Sequence, residues 1–267
     1  MVISVTAPKK GMGQTQSAIN LSAMLTKLIK GKVLLGDINK FSKDIEYYFS
    51  DTHALKGLDS LISLIEAGLL KEDNFDTCVK SINSEMDILI ANECFELSNN
   101  SIDKLISFSE KLYDVVVVDT ISGSSILTRR FFERSHVILV VLNQYKNVVD
   151  LALGNQLYKE FSDKVVYVVN RYRDNINLKT SDIKGMLKAK GFEGEVFTIN
   201  YDVSMINECN DHSVLNFILS KSIRTVSVHE EMLLLTEFLL KRYGADIQLK
   251  DIGIKQGKLF SFFMSKK

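Results

Sequence analysis

Proline is almost missing from this chain of 267 residues: Pro8 is the only one, so no proline-marked linker divides the sequence. Cysteine is scarce and odd in number. Cys78, Cys94 and Cys209 lie far apart in no metal-ligand spacing, which speaks against a disulfide framework and for reduced thiols in a cytosolic protein. Neither sign of charge dominates, with 33 Lys plus Arg against 33 Asp plus Glu. A whole-chain electrostatic case for nucleic-acid binding is therefore absent, and only a local basic patch would serve. No segment approaches the roughly 18 uninterrupted apolar residues of a membrane-crossing helix. The four histidines, His53, His136, His212 and His229, are scattered and form no catalytic or metal constellation. The opening residues, MVISVTAPKK, lack a basic leader followed by a long apolar run and read as a first strand.

What is present is an ordinary globular composition, 46% hydrophobic and 25% charged, at a length that suits one large α/β domain. Short apolar, β-branched runs recur at Val2 to Ala7, Val33 to Leu35, Met86 to Ala91, Val115 to Val118, Val137 to Leu142, Lys164 to Val169 and Val196 to Ile199. Helical patterns lie between them, over 15–30, 56–67, 101–112, 147–161, 180–190 and 226–243. The alternation predicts βαβ units and a doubly wound, mainly parallel sheet flanked by helices. The domain spans 1–244, and 245–267 forms a linker and tail.

The segment APKKGMGQTQSAINLSAML follows the first strand and opens a helix. That is the setting in which glycines let backbone N–H groups approach a phosphate, helped by the positive end of the helix. The phosphate-loop pattern G-x-x-x-x-G-K-[ST] is only partly met: Gly13 and Thr15 match, while Pro8 replaces the first glycine and Gln14 the lysine. A second landmark is Asp37-Ile38-Asn39 after the second strand. A third is Tyr113-Asp-Val-Val-Val-Val-Asp119-Thr120, followed by the small residues Ile121-Ser-Gly-Ser-Ser. A fourth is Val168-Val169-Asn170-Arg171.

Taken together and in this order, these segments resemble the ParA/MinD family of P-loop NTPases, with their deviant Walker A motif K-G-G-x-G-K-[ST]. The stretch from Asp37 through the valine run is most similar to the TadZ/CpaE pilus-assembly ATPases of that family. The resemblance implies ATP and Mg²⁺ as cofactors and a homodimer as the working form. It makes Lys9 the signature lysine, which reaches across the dimer to the partner's phosphates. Lys10, Gly11, Met12, Gly13, Gln14, Thr15 and Gln16 become the nucleotide cradle. Thr15, Asp37 and Asp119 become the Mg²⁺ ligands or their water-mediated equivalents, and Asn170 the adenine reader. Lys9 and Asp37 carry the catalytic assignments. Two departures count against efficient turnover. Gln14 cannot supply the charge that offsets the developing negative charge on the phosphates, and Asn39 cannot accept a proton where the family has its second acid. Outside the resemblance, Lys9 and Lys10 also read as solvated loop charges, Asp119 as a capping residue and Asn170 as a turn residue.

The last sixteen residues, IGIKQGKLFSFFMSKK, carry four lysines and no acid after Ile252. As a helix, Leu259, Phe260, Phe262, Phe263 and Met264 would share a broad face opposite Lys258, Ser261 and Ser265. Such a face suits an anionic membrane surface and resembles the C-terminal targeting helix of MinD; it equally suits docking on the protein itself or on a dimer partner. The expected location is the cytoplasm or, through this tail, the inner face of the cell membrane. Three functions compete: a positioning or assembly factor for a pilus or secretion machine, a partition ATPase binding DNA non-specifically, and a pseudo-ATPase scaffold. Arg129, Arg130 and Arg134 read either as a partner-binding patch or as a solvated helix face.

Overall fold

The computed structural model describes residues 1–38, 45, 48–49, 56–91, 96–219 and 227–251. Among them, eight strands make one sheet: β1 (Val2–Thr6), β2 (Val33–Asp37), β3 (Lys80–Asn83), β4 (Met86–Leu89), β5 (Val115–Asp119), β6 (Val137–Leu142), β7 (Val165–Tyr172) and β8 (Val196–Asn200). Their order is β3-β4-β2-β5-β1-β6-β7-β8, and every pairing is parallel except that of the edge strand β3 with β4. The helices are α1 (Gln14–Leu28), α2 (Leu58–Glu66), α3 (Glu72–Asp76), α4 (Asn99–Leu112), α5 (Ile126–Arg134), α6 (Lys146–Gly154), α7 (Gln156–Glu160), α8 (Thr180–Ala189), α9 (Val203–Asn210), α10 (Val214–Leu219) and α11 (Ser227–Tyr243).

The continuous apolar runs are explained by burial on both faces. Side chains alternate along a strand, and the alternate residues enter two separate cores. Ile3, Val5, Leu35, Val115 and Val117 join a core covered by α1 and α11. Val2, Leu34, Val116 and Val118 join a second one covered by α2 and α4, with Phe75 and Phe131. A chain of valines is what a parallel strand with both faces covered requires. The central strand β1 has β5 on one side and β6 on the other, and its C-terminal end feeds α1 through residues 7–13. Open α/β sheets bind ligands at such carboxyl ends, where the direction of winding changes.

The expected doubly wound sheet is observed, with three differences in detail. Strand β3, with the sequence KSIN, is too polar to stand out as an apolar run, and it is half-exposed at the sheet edge. The single helix expected over 147–161 is two helices. Asn155 is extended and caps α7 by accepting a hydrogen bond from the backbone N–H of Leu157, so the chain kinks there. Helices α3, α9 and α10 are five, eight and six residues long, too short to register as a period.

Beyond α11 the chain stays attached to the domain. Leu249 bridges Ile29, the N–H of Lys250 bonds the carbonyl of Leu28 at 2.8 Å, and the Lys250 ammonium holds the carbonyl of Thr26 at 2.8 Å and the carboxylate of Glu85. These contacts lie at the C-terminal end of α1, the end away from the β1–α1 loop. The amphipathic segment expected over 252–267 lies outside the described residues, as does Asn39. No described helix is long and apolar enough to cross a membrane.

Candidate functional site

The β1–α1 loop is shaped by two glycines in the left-handed region, Gly11 at φ 86° and Gly13 at φ 83°. Residues with a Cβ are strained there. Gly13 is the N-cap of α1 and offers no side chain to its first turn, whose N–H groups open on a cavity of about 350 Å³. An uncapped helix start behind two such glycines is an anion cradle by construction. Lys10 lines the cavity at its exposed rim; Lys9 is exposed and does not line it. Met12 is buried.

Gln14 forms the floor. It is 8% exposed. Its amide nitrogen donates to Asp119 Oδ1 at 2.7 Å, to the carbonyl of Val5 at 3.2 Å and to the carbonyl of Thr120, while its Oε1 accepts from the Ser122 hydroxyl at 2.8 Å. Thr15 Oγ1 donates to the other oxygen of Asp119 at 2.6 Å. The loop after β5 is pinned to the cradle by further bonds: Thr120 N–H and Oγ1 both reach the carbonyl of Val5, and Gly123 N–H the carbonyl of Ala7. Asp37 and Asp119, both buried, end neighbouring strands and are direct partners in the β2–β5 register. Thr15 and Asp119 thus line the cavity together, and Asp37 ends the next strand beside Asp119 without lining it.

Gln16 lines the cavity and Asn170 lies beside it, each hydrogen-bonded within the protein. The Asn170 amide donates to the carbonyl of Met12 at 3.0 Å and packs beneath Gly13, so it braces the loop from below. Gln16 donates to Cys209 Sγ at 3.3 Å. Burial pushes the Cys209 thiol up to about 11, outweighing the pull of Arg171, so it stays protonated. Residues not assigned from sequence also reach the cavity: Tyr48, Thr120, Ser122 and Arg171. Ser122 lies in the small-residue loop already noted after the valine run. Arg171 follows Asn170 in the fourth landmark, but nothing in that motif distinguishes its side chain. Nothing in the sequence marks Tyr48.

The alternative basic patch is spent on structure. Arg129 is held by Glu160, Arg130 by Asp103 and Glu133, and Arg134 lies 3.7 Å from Glu110 and 3.9 Å from Asp103, tying α5 to α4 and α7.

The donor set fits a Mg²⁺–polyphosphate better than a bare metal. Mg²⁺ is usually held by one or two carboxylates together with phosphate oxygens and water. Thr15, Asp37 and Asp119 offer hard oxygens only, and no group of three or more His, Cys, Asp or Glu among the described residues makes a metal site on its own.

No protein-family model and no curated protein sequence matches this chain. Solved structures do match it. A ParA-family ATPase from Chlorobium tepidum superposes with a TM-score of 0.75 at 18% identity, over 88% of this chain and 98% of that one. The septum site-determining protein MinD of Pyrococcus horikoshii, complexed with Mg-ADP, gives 0.69 at 16% identity, over 91% and 97%. A plasmid partition protein from Borrelia burgdorferi, bound to AMPPNP, gives 0.61 at 16% identity, over 90% and 98%. At such identities the likeness establishes the fold: the mostly parallel, helix-flanked sheet of the ParA/MinD ATPases.

Proposed function

We propose that this protein is a nucleotide-dependent positioning or assembly factor that binds ATP with Mg²⁺ and turns it over slowly at most. The observation that carries the reading is the pairing of Asp37 with Asp119 at the ends of adjacent strands, beneath a helix start opened by two left-handed glycines. In this reading the amides of residues 11–15 cradle the phosphates. Thr15, Asp37 and Asp119 would hold Mg²⁺, whose charge would screen the acids from the phosphates. Lys9 serves the site of a second copy across a dimer, and Asn170 lies toward the base. The dimer, the adenine and the Mg²⁺ are carried by the sequence resemblance and agree with the nucleotides named for the Pyrococcus and Borrelia structures.

The machine served is, in this proposal, a membrane-associated one such as a Tad-type pilus or secretion system, with residues 252–267 contacting the membrane surface. A DNA-partition role is disfavoured by the zero net charge and by the carboxylates that occupy the arginines of α5. The test is calorimetry and light scattering on the purified protein with Mg-ATP, together with a phosphate-release assay. Binding heat, a doubled mass and little phosphate release are expected. Absence of heat with ATP, ADP and a non-hydrolysable analogue would leave an inert scaffold instead.

A further inference from the structure

Arg171 holds a backbone conformation that arginine rarely adopts. Its φ is 54°, in the left-handed region where a Cβ is strained. The strain sits where the β7–β8 ladder skips: Asn170 pairs with Ile199 and Tyr172 with Asn200, so Arg171 is the bulged residue between them. A bulge re-aims one side chain without disturbing its neighbours, and bulges gather at functional sites for that reason. Here Asn170 stays buried under Gly13 and Tyr172 packs on the core, while Arg171 lines the cavity beside Gly13, Gln14 and Thr15. It also borders the small crevice next to it, with Gln16 and Asn170.

Among the described residues no carboxylate pairs with Arg171, whereas each arginine of α5 has one. Gln14, at the floor of the same cavity, brings hydrogen bonds but no charge. We infer that Arg171 is a polyphosphate-binding residue, supplying from the wall of the cavity the positive charge that Gln14 does not supply from the floor. This rests on the nucleotide reading above and deepens it. A guanidinium is suited to the task because its planar fork grips two phosphate oxygens at once. Strained left-handed residues persist where the gain lies in function rather than in folding, and a glycine at this position would relieve the strain.

The experiment is calorimetry on the full chain and on Arg171→Gly, Arg171→Gln and Arg171→Lys, with Mg-ATP and with inorganic tripolyphosphate plus Mg²⁺, alongside thermal melts. Arg171→Gly is expected to melt above the wild type yet bind both ligands at least about tenfold more weakly, the loss typical of a charge-assisted hydrogen bond. Arg171→Gln is expected to lose affinity alike, and Arg171→Lys to lose less. A purely structural bulge residue would move the melt and leave both affinities unchanged, and that result would overturn the inference while the nucleotide reading stands. A wild type that binds neither ligand would overturn both.

Discussion

Gln14 and Asp119 are joined by a 2.7 Å hydrogen bond at the bottom of the cavity, and this contact ties the start of α1 to the end of β5 through a neutral side chain. The amide shares two hydrogens among Asp119, Val5 and Thr120, and its oxygen takes the Ser122 hydroxyl, so a neutral side chain meets these four groups at once. Removing the amide would take this donor from Asp119 and from the Thr120 carbonyl, while the Val5 carbonyl keeps its bonds from Thr120.

Two substitutions separate the structural part of that role from the electrostatic one. Gln14→Ala is expected to destabilise the fold by about 1–3 kcal/mol, the range for leaving buried partners unsatisfied, measured by denaturant unfolding. Gln14→Lys is expected to fold and to raise affinity for Mg-ATP by about tenfold or more, since a charged donor to phosphate replaces a neutral one. Adding Asn39→Asp should then raise phosphate release above that of Gln14→Lys alone, because a carboxylate can accept a proton where an amide cannot. Unchanged affinity in Gln14→Lys would show that charge at the floor is not what limits this site.

With the neutral Gln14 rather than a cation at the floor of the cavity, the divalent ion matters more. Asp37 and Asp119 stand together in register, and a triphosphate would bring more negative charge toward them. Chelation of Mg²⁺ should therefore weaken ATP binding by well over about tenfold, as expected when like charges meet without a screening ion. Calorimetry with and without chelator reads this directly; equal affinities would mean that the phosphates lie away from the acids.

Much of this was legible beforehand, for reasons that differ by residue. The valine run and its terminal Asp119 were readable because a strand covered on both faces has to be continuously apolar and ends where it meets the site. Gly11 and Gly13 were readable because left-handed backbone selects glycine. Strand β3 was not, since an edge strand exposed on one side needs no apolar run. The roles of Gln14, Asn170 and Arg171 were not either. Whether an amide grips a carboxylate, braces a neighbouring carbonyl or faces a ligand depends on strand register, and the Asn170–Tyr172 irregularity has no sequence signature.

The two loop glycines should respond unequally to alanine. A Cβ on Gly11 would meet nothing within 4 Å, so Gly11→Ala bears only the left-handed strain, about 1–2 kcal/mol. A Cβ on Gly13 would stand 2.1 Å from the Asn170 amide nitrogen, which would have to leave the Met12 carbonyl. Gly13→Ala should therefore unfold at lower denaturant than Gly11→Ala and lose nucleotide binding. Pairing Gly13→Ala with Asn170→Ala should recover part of the stability lost to the clash. Equal midpoints for the two single variants would argue that Asn170 does not brace the loop.

Glu231, on α11, gives the protein a stability that depends on pH near neutrality. Burial is the main reason its carboxyl is pushed up to about 7, with Asp202, Glu230 and Asp174 adding to the effect and the bond from the Asn200 N–H, 2.7 Å long, opposing it. Because the folded-state value lies above the unfolded one, the folded protein binds the extra proton between them. This contribution is complete below the usual carboxylate range and is lost as pH rises through about 7. Glu237, also raised by burial, has the same sign, whereas His136 and His229, lowered by burial, have the opposite one. The comparison must therefore be made against Glu231→Gln, which keeps an oxygen for the Asn200 N–H and cannot ionise. Melting temperatures measured from acid to neutral pH should converge at low pH. Toward neutral pH the variant should become the more stable of the two, as the wild type loses its proton. Parallel curves across the whole range would show that Glu231 does not titrate there.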